Sequence, residues 1–452
     1  CHLYSVDLTP YIFDASIGAP GSGDVSGVMR TGSHWRTILI GGMRYGGGCR
    51  NAGSTCTDCV KTPVTDLGYS SYFALDITNQ NSPVLLWEYS NPELGFTTAG
   101  PAIVKISTLT SGTPDKFKNG KWFVVLPSGP TGPIDTASKQ FLGRSDQPLK
   151  LFVLNLKDGS LAATIPTGIA DAFAGSMYNA TLDTDLDYQD DVVYVPYVEK
   201  ATDGTWTDGG VGRLSTKEDL DPTHWVWSTV MDHAGPVTSA ITKLQNNATH
   251  TLWVFFGTGR YYFERSGTTD DGAGQRQIFG LKDPCFSTAG FDPNCTSYRT
   301  LSDLTNVTNV ANVPANPDVS TFKGWYINLD GDAVPDATFR AERVITDPLA
   351  TTSGVVYFTT YKPYSDECTL GGKSFLWAVK YNSGDAPGTL LKGKAIIQVS
   401  TGSIEQLNLS DAFTEAGGRK SAGMEGVPPT AQGLSILSTP APVKRVLHIR
   451  ER

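Results

Sequence analysis

The sequence lacks the apolar run of about 20 residues that a membrane-spanning helix needs, and it has no cluster of Lys or Arg. Charged residues make up only 18% of the 452 residues, and the formal net charge is −9. This negative charge argues against nucleic acid or an anionic membrane surface as the partner, because both would repel it. It is compatible with divalent cations.

Signatures of catalysis are also scarce. The six histidines lie in unrelated contexts, and no Gly-x-Ser-x-Gly motif is present, so nothing supports a hydrolase. The chain instead has 48 Gly and 27 Pro together with 39% hydrophobic residues. This composition is typical of a large β-rich core with many turns. The sequence therefore predicts an all-β protein.

The most informative motif is an acidic run that precedes a strand-like segment. Loop positions 1, 3, 5 and 9 are carboxylates, and the backbone carbonyl of position 7 can point inward, which is the spacing of a Ca²⁺ loop. Position 6, where such loops prefer Gly, is Tyr188, so we expect some strain. The alternative is an acidic, solvated turn. The predicted ligands are Asp183, Asp185, Asp187, Gln189 and Asp191.

The strand-like sequence after this loop excludes an EF-hand, because no second helix and no Glu at position 12 follow. We therefore expect a static or affinity-tuning ion, with a dissociation constant of about 10⁻⁴ to 10⁻³ M for an extracellular module.

A second segment repeats the 1-3-5-9 spacing of oxygen donors. Its Gly is at position 4, and Asn-Leu-Asp-Gly-Asp is also an ordinary turn between two strands, so this metal site is the weaker prediction. Its residues are Asn328, Asp330, Asp332 and Asp336.

The seven cysteines lie mostly in polar loops, where thiols form crosslinks more often than they fill a core, so we expect an oxidising compartment. Cys285 and Cys295 bracket a short Pro/Gly loop and are predicted to form a disulfide. Cys49 is expected to pair with Cys56 or Cys59, and the odd count leaves one cysteine over. The remaining cysteines, of open pairing, are Cys1 and Cys368.

One sequence pattern recurs along the chain: a predicted strand that ends in a small residue, a variable loop, and a second predicted strand that ends at a polar turn. Copies begin at Trp35, Lys121, Asp191, Leu252 and Gly354. Repeated multi-strand units without helical periodicity are typical of a β-propeller. We predict a single propeller domain over residues 1–452. Its long rim loops are expected at residues 43–70, 129–148, 200–222 and 264–275.

Taken together, these residues resemble the C-terminal propeller domain of PilY-type proteins, the tip-associated adhesins and assembly factors of bacterial type IV pili. The order of several segments carries the resemblance. They are His2–Asp7, Trp35–Gly42, Tyr72–Thr78, Val254–Tyr261, Glu342–Ile345 and Val356–Thr360.

The resemblance implies a modified propeller of about seven blades and a role in pilus biogenesis. In that family an Asp-rich loop, matched here by Asp183 to Asp191, binds calcium and tunes the balance of pilus extension and retraction. The resemblance also implies passage through the periplasm and outer membrane to the pilus tip, contact with minor pilins, and adhesion to host or abiotic surfaces.

Two departures limit this resemblance. The family's N-terminal metal motif Asp-x-Ser-x-Ser is absent, because Asp14-Ala15-Ser16 is followed by Ile17-Gly18. In addition, His2 to Asp7 resembles a segment inside the family's propeller, so part of a blade is expected upstream of Cys1. An open sheet edge invites pairing. We therefore expect an upstream fragment or a separate chain to complete the propeller.

Two other functions stay open. The phrase Ala74 to Thr78 followed by Trp87 is similar to the tryptophan-docking repeats of quinoprotein dehydrogenases, which hold pyrroloquinoline quinone, although the other copies lack the Asp. An exposed aromatic face would instead bind carbohydrate. The preferred expectation is a secreted, non-enzymatic propeller. The residues of the aromatic face would be Tyr261, Tyr262 and Phe263, or Trp206.

Overall fold

The described part of the chain is built almost entirely of β-strands, with 3-10 turns at Gly32–His34, Pro222–His224, Leu301–Asp303 and Val310–Asn312. No helix within it is both long and apolar enough to cross a membrane. The computed structural model describes residues 6–44, 70–110, 112–135, 140–261, 274–330, 338–365, 372–387, 394–400, 403–408, 419–425 and 434–437.

Five sheets of four or five strands, named here sheets A to E, follow one another along the chain, and in chain order the last strand of sheet E lies between strands of a three-stranded sheet F. Sheet A contains β1 (Tyr11–Ser16), β2 (Trp35–Gly42), β3 (Tyr72–Asp76) and β4 (Val84–Tyr89), paired in chain order. Next come β5 (Ala102–Ile106), the hairpin of β6 (Leu109–Thr110) and β7 (Thr113–Pro114), β8 (Lys121–Pro127), and the hairpin of β9 (Gly132–Asp135) and β10 (Gln140–Arg144). β11 (Lys150–Asn155) and β12 (Leu161–Pro166) complete sheet B, in the order β12-β11-β8-β5.

Sheet C contains β13 (Ala172–Ala174), β14 (Thr181–Leu182), β15 (Val192–Glu199), β16 (Asp208–Ser215) and β17 (Val226–Met231). Sheet D contains β18 (Thr242–Asn246), β19 (Thr251–Gly257) and β20 (Gln277–Lys282), and after the hairpin of β21 (Phe286–Ser287) and β22 (Gly290–Phe291) it is completed by β23 (Thr305–Asn306) and β24 (Gly324–Asn328). Sheet E contains β25 (Arg343–Val344), β26 (Leu349–Ala350), β27 (Val355–Pro363) and β28 (Gly372–Lys380). Sheet F contains β29 (Lys394–Ser400) and β30 (Ser403–Asn408). β31 (Arg419–Glu425) pairs with β28 of sheet E, and β32 (Leu434–Leu437) pairs with β29 of sheet F.

The hydrophobic core lies between the sheets. Successive side chains of a strand point to opposite faces, and in β8 the side chains of Phe123 and Val125 pack toward sheet C while Val124 and Leu126 pack toward sheet A. Both faces of sheet B are therefore buried, which explains why β8 is a continuous apolar run instead of an alternating one. Equivalent cores join sheet C to D and sheet D to E.

This face-to-face succession of open sheets is the arrangement of a β-propeller, in which each blade packs against its neighbours. It confirms the predicted all-β class. The predicted strand Trp35–Gly42 is β2, residue for residue, and the other predicted strands coincide with observed ones to within a few residues. The expected number of about seven blades stays a prediction, because part of the chain lies outside the described residues.

Two tryptophans fasten one sheet to the next in the same way. Trp87 of β4 donates its indole N–H to the carbonyl of Leu156, just after β11 of sheet B, at 2.7 Å and lies against Gly159. Trp325 of β24 donates to the carbonyl of Tyr381, just after β28, at 2.9 Å and lies against Gly384. The two glycines have φ values of 70° and 69°, a conformation that favours Gly. The repeated contact is thus built into the strand–turn sequence.

Two predicted rim loops contain strands. Residues 129–148 include the hairpin of β9 and β10, and residues 200–222 include β16, which lies inside sheet C between β15 and β17. The glycines of β16 indicated a loop, but Gly212 lies under the ring of Trp227, where a Cβ atom would be 2.0 Å from a ring carbon. These glycines therefore make room for aromatic packing within the sheet.

The face of sheet A that points away from sheet B carries an apolar row across all four strands. Ile12 is paired with Leu39, Leu39 with Leu75, and Leu75 with Leu85. Ile12 and Leu85 are 54% and 59% exposed. Among the described residues, this row is not covered by another sheet.

The predicted disulfide between Cys285 and Cys295 is present, with a Cα–Cα distance of 5.5 Å. It closes the segment that follows β20 and carries the β21–β22 hairpin. The other five cysteines lie outside the described residues, so their pairing stays a prediction. They are Cys1, Cys49, Cys56, Cys59 and Cys368.

Replacing both Cys285 and Cys295 by Ser is expected to lower the free energy of unfolding by about 2 to 3 kcal/mol, because the short closed loop no longer restricts the unfolded chain. Urea unfolding of the variant and the wild type under non-reducing conditions measures the difference. An unchanged midpoint would show that the bridge does not restrain the unfolded ensemble. Reduction of the wild type alone is not the matched control, since the other cysteines would also react.

Candidate metal site

The acidic loop is closed by short-range strand pairing. β14 pairs with the first residues of β15, so that Leu182 faces Val192, and the N–H of Asp191 donates to the carbonyl of Leu182 at 2.9 Å. The eight residues between β14 and Asp191 must therefore turn back on themselves. This closure brings the two ends of the predicted ligand set together.

Asp183 organises the turn. Its carboxylate accepts backbone N–H groups from Leu186 at 2.7 Å, Asp187 at 3.3 Å and Tyr188 at 2.9 Å. Leu186 and Tyr188 have φ values of 66° and 77°, in the left-handed region that favours Gly. The strain expected at Tyr188 is therefore present in the backbone. Asp183 offsets it by satisfying three N–H groups of the turn.

The other carboxylates converge on the same space. One oxygen each from Asp183, Asp185 and Asp191 lies within 4.8 Å of the others, and the same holds for Asp185, Asp187 and Glu218. Two hydrogen bonds hold the Asp191 side chain in place, because its Oδ2 accepts from the backbone N–H and the hydroxyl of Thr184 at 2.6 and 2.7 Å. The structure thus brings the four predicted aspartates together.

Glu218 is the member that the sequence did not reveal. It follows β16, and the pairing of Val192 with Ser215 brings that turn beside the loop. Gln189 joins the two segments, because its side-chain amide donates to Asp187 at 3.0 Å and to Glu218 at 2.8 Å. In this structure the side-chain amide of Gln189 thus donates hydrogen bonds to two of the carboxylates. The acidic sequence around Glu218 could have indicated this residue as a candidate. Only the register of β15 and β16, however, brings Glu218 beside the Asp183 loop.

The cluster concentrates negative charge in a half-buried place. Burial raises the pKa of Asp183 to about 7 and that of Glu218 to about 8, and neighbouring carboxylates add to both shifts. Burial also raises the pKa of Asp185 and Asp191. Within the described ranges, none of these carboxylates forms an ion pair with Lys or Arg.

These residues fit a calcium ion by the chemistry of their donors. Ca²⁺ takes six to eight oxygen ligands in flexible geometry, and here four carboxylates of the Asp183 loop and Glu218 from the turn after β16 converge. A divalent cation would offset the mutual repulsion that, after burial, contributes to the raised pKa values of these side chains. A soft or nitrogen-preferring metal would find no His or Cys in this group.

The second predicted site is described only in part. Asp330 is paired with Lys362, whose Nζ lies 2.9 Å from its carboxylate, and its N–H donates to Glu342. Asn328 ends β24 and contacts Gln277. Asp332 and Asp336 lie outside the described residues. The described half therefore has its charge matched by a lysine, unlike the Asp183 loop.

Neighbouring sheets pack face to face through shared hydrophobic cores, and the acidic loop lies at one end of sheet C. This arrangement defines a propeller-type domain with a candidate cation site. The comparisons with known proteins agree with this class. No family model matches the chain.

Two curated relatives and one solved structure are similar to this chain. It is 23% identical over 421 residues to a type IV pilus biogenesis factor PilY1 homolog of Xylella fastidiosa, covering 83% of this chain and 28% of that protein. It is 21% identical over 469 residues to the type IV pilus biogenesis factor PilY1 of Pseudomonas aeruginosa, covering 92% and 35%. The crystal structure of the P. aeruginosa PilY1 C-terminal domain matches 96% of this chain and 83% of that one, with a TM-score of 0.55 and 17% identity.

These findings confirm the resemblance to the C-terminal domain of PilY-type proteins, in sequence order and in fold. The chain spans about a third of the length of these curated relatives. In fold it matches the C-terminal domain of P. aeruginosa PilY1.

Proposed function

We propose that this chain is the calcium-binding, non-enzymatic propeller of a type IV pilus biogenesis factor, secreted and located at the pilus tip. The observation that carries the proposal is the convergence of Asp183, Asp185, Asp187, Asp191 and Glu218 without a basic partner among the described residues. Calcium bound there would hold β14, β15 and the turn after β16 together. Its binding and release would tune pilus extension against retraction.

The two alternative functions have less support. The indole N–H groups of Trp87 and Trp325 donate to backbone carbonyls beside the neighbouring sheets. Packing between sheets therefore accounts for the tryptophan-docking sequence pattern without a bound quinone. Trp206, a candidate for an exposed sugar-binding ring, is 3% exposed and stacks on Phe173. Tyr261 is exposed, and Tyr262 and Phe263 lie outside the described residues.

Contacts with other pilus components form the second half of the proposal. Minor pilins and a host or abiotic surface are the proposed partners. An upstream fragment or a separate chain is proposed to pack its strands on the apolar row of sheet A. This row is exposed at Ile12 and Leu85, and burying such a row would be favourable at about 25 cal/mol per Å².

Calorimetric titration of the chain with CaCl₂ tests the metal half of the proposal. The wild type is expected to bind one ion in the Asp183 loop, and Asp187→Ala/Asp191→Ala is expected to lose it, because two of its carboxylates are gone. Asp203→Ala is the matched control, since Asp203 is an exposed turn carboxylate that accepts from Thr205 and has no place in the cluster. Undiminished binding by the double variant would contradict this site.

An experiment in cells separates calcium binding from the proposed role in pilus extension and retraction. Cells that move by type IV pili and carry the double variant in the full-length gene are expected to change their twitching motility in a calcium-dependent way. A variant that loses calcium in the calorimeter but leaves twitching and surface pilus number unchanged would retain the metal site and overturn its regulatory role.

A further inference from the structure

A second cluster of charged side chains lies at the opposite end of sheet C from the acidic loop. Glu199 ends β15 and Asp208 begins β16, and the two are directly paired across the sheet. Asp232 and His233 follow the end of β17. Because β15 is eight residues long, this end is roughly 25 Å from the Asp183 loop at about 3.3 Å per residue. The two clusters are separate.

The donor atoms of this second cluster face one another. The Nδ1 atom of His233 lies 2.7 Å from Oδ2 of Asp208 and 3.9 Å from Oε1 of Glu199. One donor atom from each of these three side chains lies within 4.8 Å of the others. In a tetrahedral zinc site, bond lengths of 2.0 to 2.2 Å put ligand atoms about 3.3 Å apart. Small side-chain rotations would bring these atoms to that separation.

Glu199 supplies an independent observation. Its Oε1 atom is buried and has no hydrogen-bond partner among the residues that the structure describes, although buried carboxylate oxygens are normally satisfied. Burial and, to a smaller extent, the charges of Asp208 and Asp232 together raise the pKa of Glu199 to about 7. The nearest basic atom that faces this oxygen is the ring nitrogen of His233. An unsatisfied acceptor therefore points into the cluster.

A comparison within the chain separates this cluster from an ordinary ion pair. His224 also contacts an aspartate, with its Nδ1 atom 2.7 Å from Oδ2 of Asp219, and its side chain is similarly exposed. However, among the described residues no third side chain joins that pair to make a set of ligands. His233 differs because a second carboxylate, that of Glu199, converges on the same ring nitrogen through a buried oxygen atom.

We propose that Glu199, Asp208 and His233 bind a divalent transition metal such as Zn²⁺, through Nδ1 of the imidazole and one oxygen of each carboxylate. Mixed nitrogen and oxygen donors select such metals over Ca²⁺, which prefers oxygen alone. The side chain of His233 is 70% exposed, which gives an ion access from solvent. It also leaves room for water as the fourth ligand.

The surroundings of the cluster suit this assignment. Oδ2 of Asp232 lies 3.7 Å from Nε2 of His233, on the side of the ring away from the metal ligands. The Asp232 side chain is held in place by the hydroxyl of Tyr197, which donates to its Oδ1 atom at 3.0 Å. A small approach would let Asp232 accept from Nε2–H. That hydrogen bond would fix the tautomer in which Nδ1 is free to bind the ion.

Titration of the 452-residue chain with ZnCl₂ at neutral pH, in excess CaCl₂ to occupy the Asp183 loop, tests the proposal. The wild type is expected to bind one zinc ion that depends on this cluster. His233→Ala and Glu199→Gln are each expected to weaken this binding at least about tenfold, since each removes one ligand. His224→Ala is the matched control. Asp187→Ala/Asp191→Ala is expected to bind zinc as the wild type does.

Two results would overturn the proposal. One is zinc binding that is absent in the wild type or unchanged in both His233→Ala and Glu199→Gln. The other is an equal loss in His224→Ala, which would indicate nonspecific binding to surface histidines. Circular dichroism of each variant checks folding. Glu199→Gln keeps the side-chain shape, so it tests the ligand even if His233→Ala perturbs the turn.

Discussion

Replacing Arg213 by Ala is expected to lower the free energy of unfolding by about 3 to 5 kcal/mol, because it leaves the carboxylate of Asp283 buried without its ionic partner. The two side chains are 1% and 0% exposed and form an ion pair. Asp283 also accepts the hydroxyl proton of Tyr194 at 2.7 Å. The network joins β16 of sheet C to the end of β20 in sheet D, so its loss would loosen two neighbouring blades.

Urea unfolding followed by circular dichroism measures this effect. Lys200→Ala is the control, since Lys200 pairs with Asp171 at the surface, where both side chains are 44% exposed. Exposed pairs contribute about 0 to 1 kcal/mol, so this control is expected to unfold close to the wild type. Equal, small effects of the two substitutions would mean that the buried pair does not hold the sheets together.

Replacing Trp325 by Ala is expected to cost a similar amount, about 3 to 5 kcal/mol, because it opens a large cavity between sheets D and E. Trp325 is fully buried, its ring fills the space beside Gly280 and Gly384, and its indole N–H is bonded to Tyr381. The carbonyl of Tyr381 would also lose its donor.

Differential scanning calorimetry of Trp325→Ala and Trp325→Phe separates the two contributions. Trp325→Phe keeps most of the apolar volume and removes only the N–H donor, so it is expected to cost less than the alanine variant. Phe117→Ala, at a side chain that is 61% exposed, serves as the control for loss of an aromatic ring at the surface. A melting temperature of Trp325→Ala equal to that of the control would contradict the docking role.

The strands were predictable wherever both faces of a sheet are buried, because the sequence is then a continuous apolar run, as in β8 and β19. β16 was missed because its buried positions include Gly210 and Gly212, which have no side chain to signal a strand. Their role depends on the rings of Tyr197 and Trp227 in adjacent strands. A local pattern cannot contain that information.

The candidate metal sites divide in the same way. Asp183, Asp185, Asp187 and Asp191 are close in the chain, so their spacing alone predicted that they would converge. Glu218 joins them only through the register of β15 and β16. The cluster of Glu199, Asp208 and His233 needs three strand ends to meet, and no spacing in the sequence indicates it.

The shared cores between sheets also determine how the domain would respond to a pulling force. An inner sheet such as sheet B is held by a core on each face, whereas sheet A is held by described neighbours on one face only. A load applied at β1 would therefore act first on sheet A, which is joined to sheet B by one core and the Trp87 indole and touches the segment before β14 through Tyr11. The inner sheets would keep their shape, so the acidic loop of sheet C would stay intact under tension.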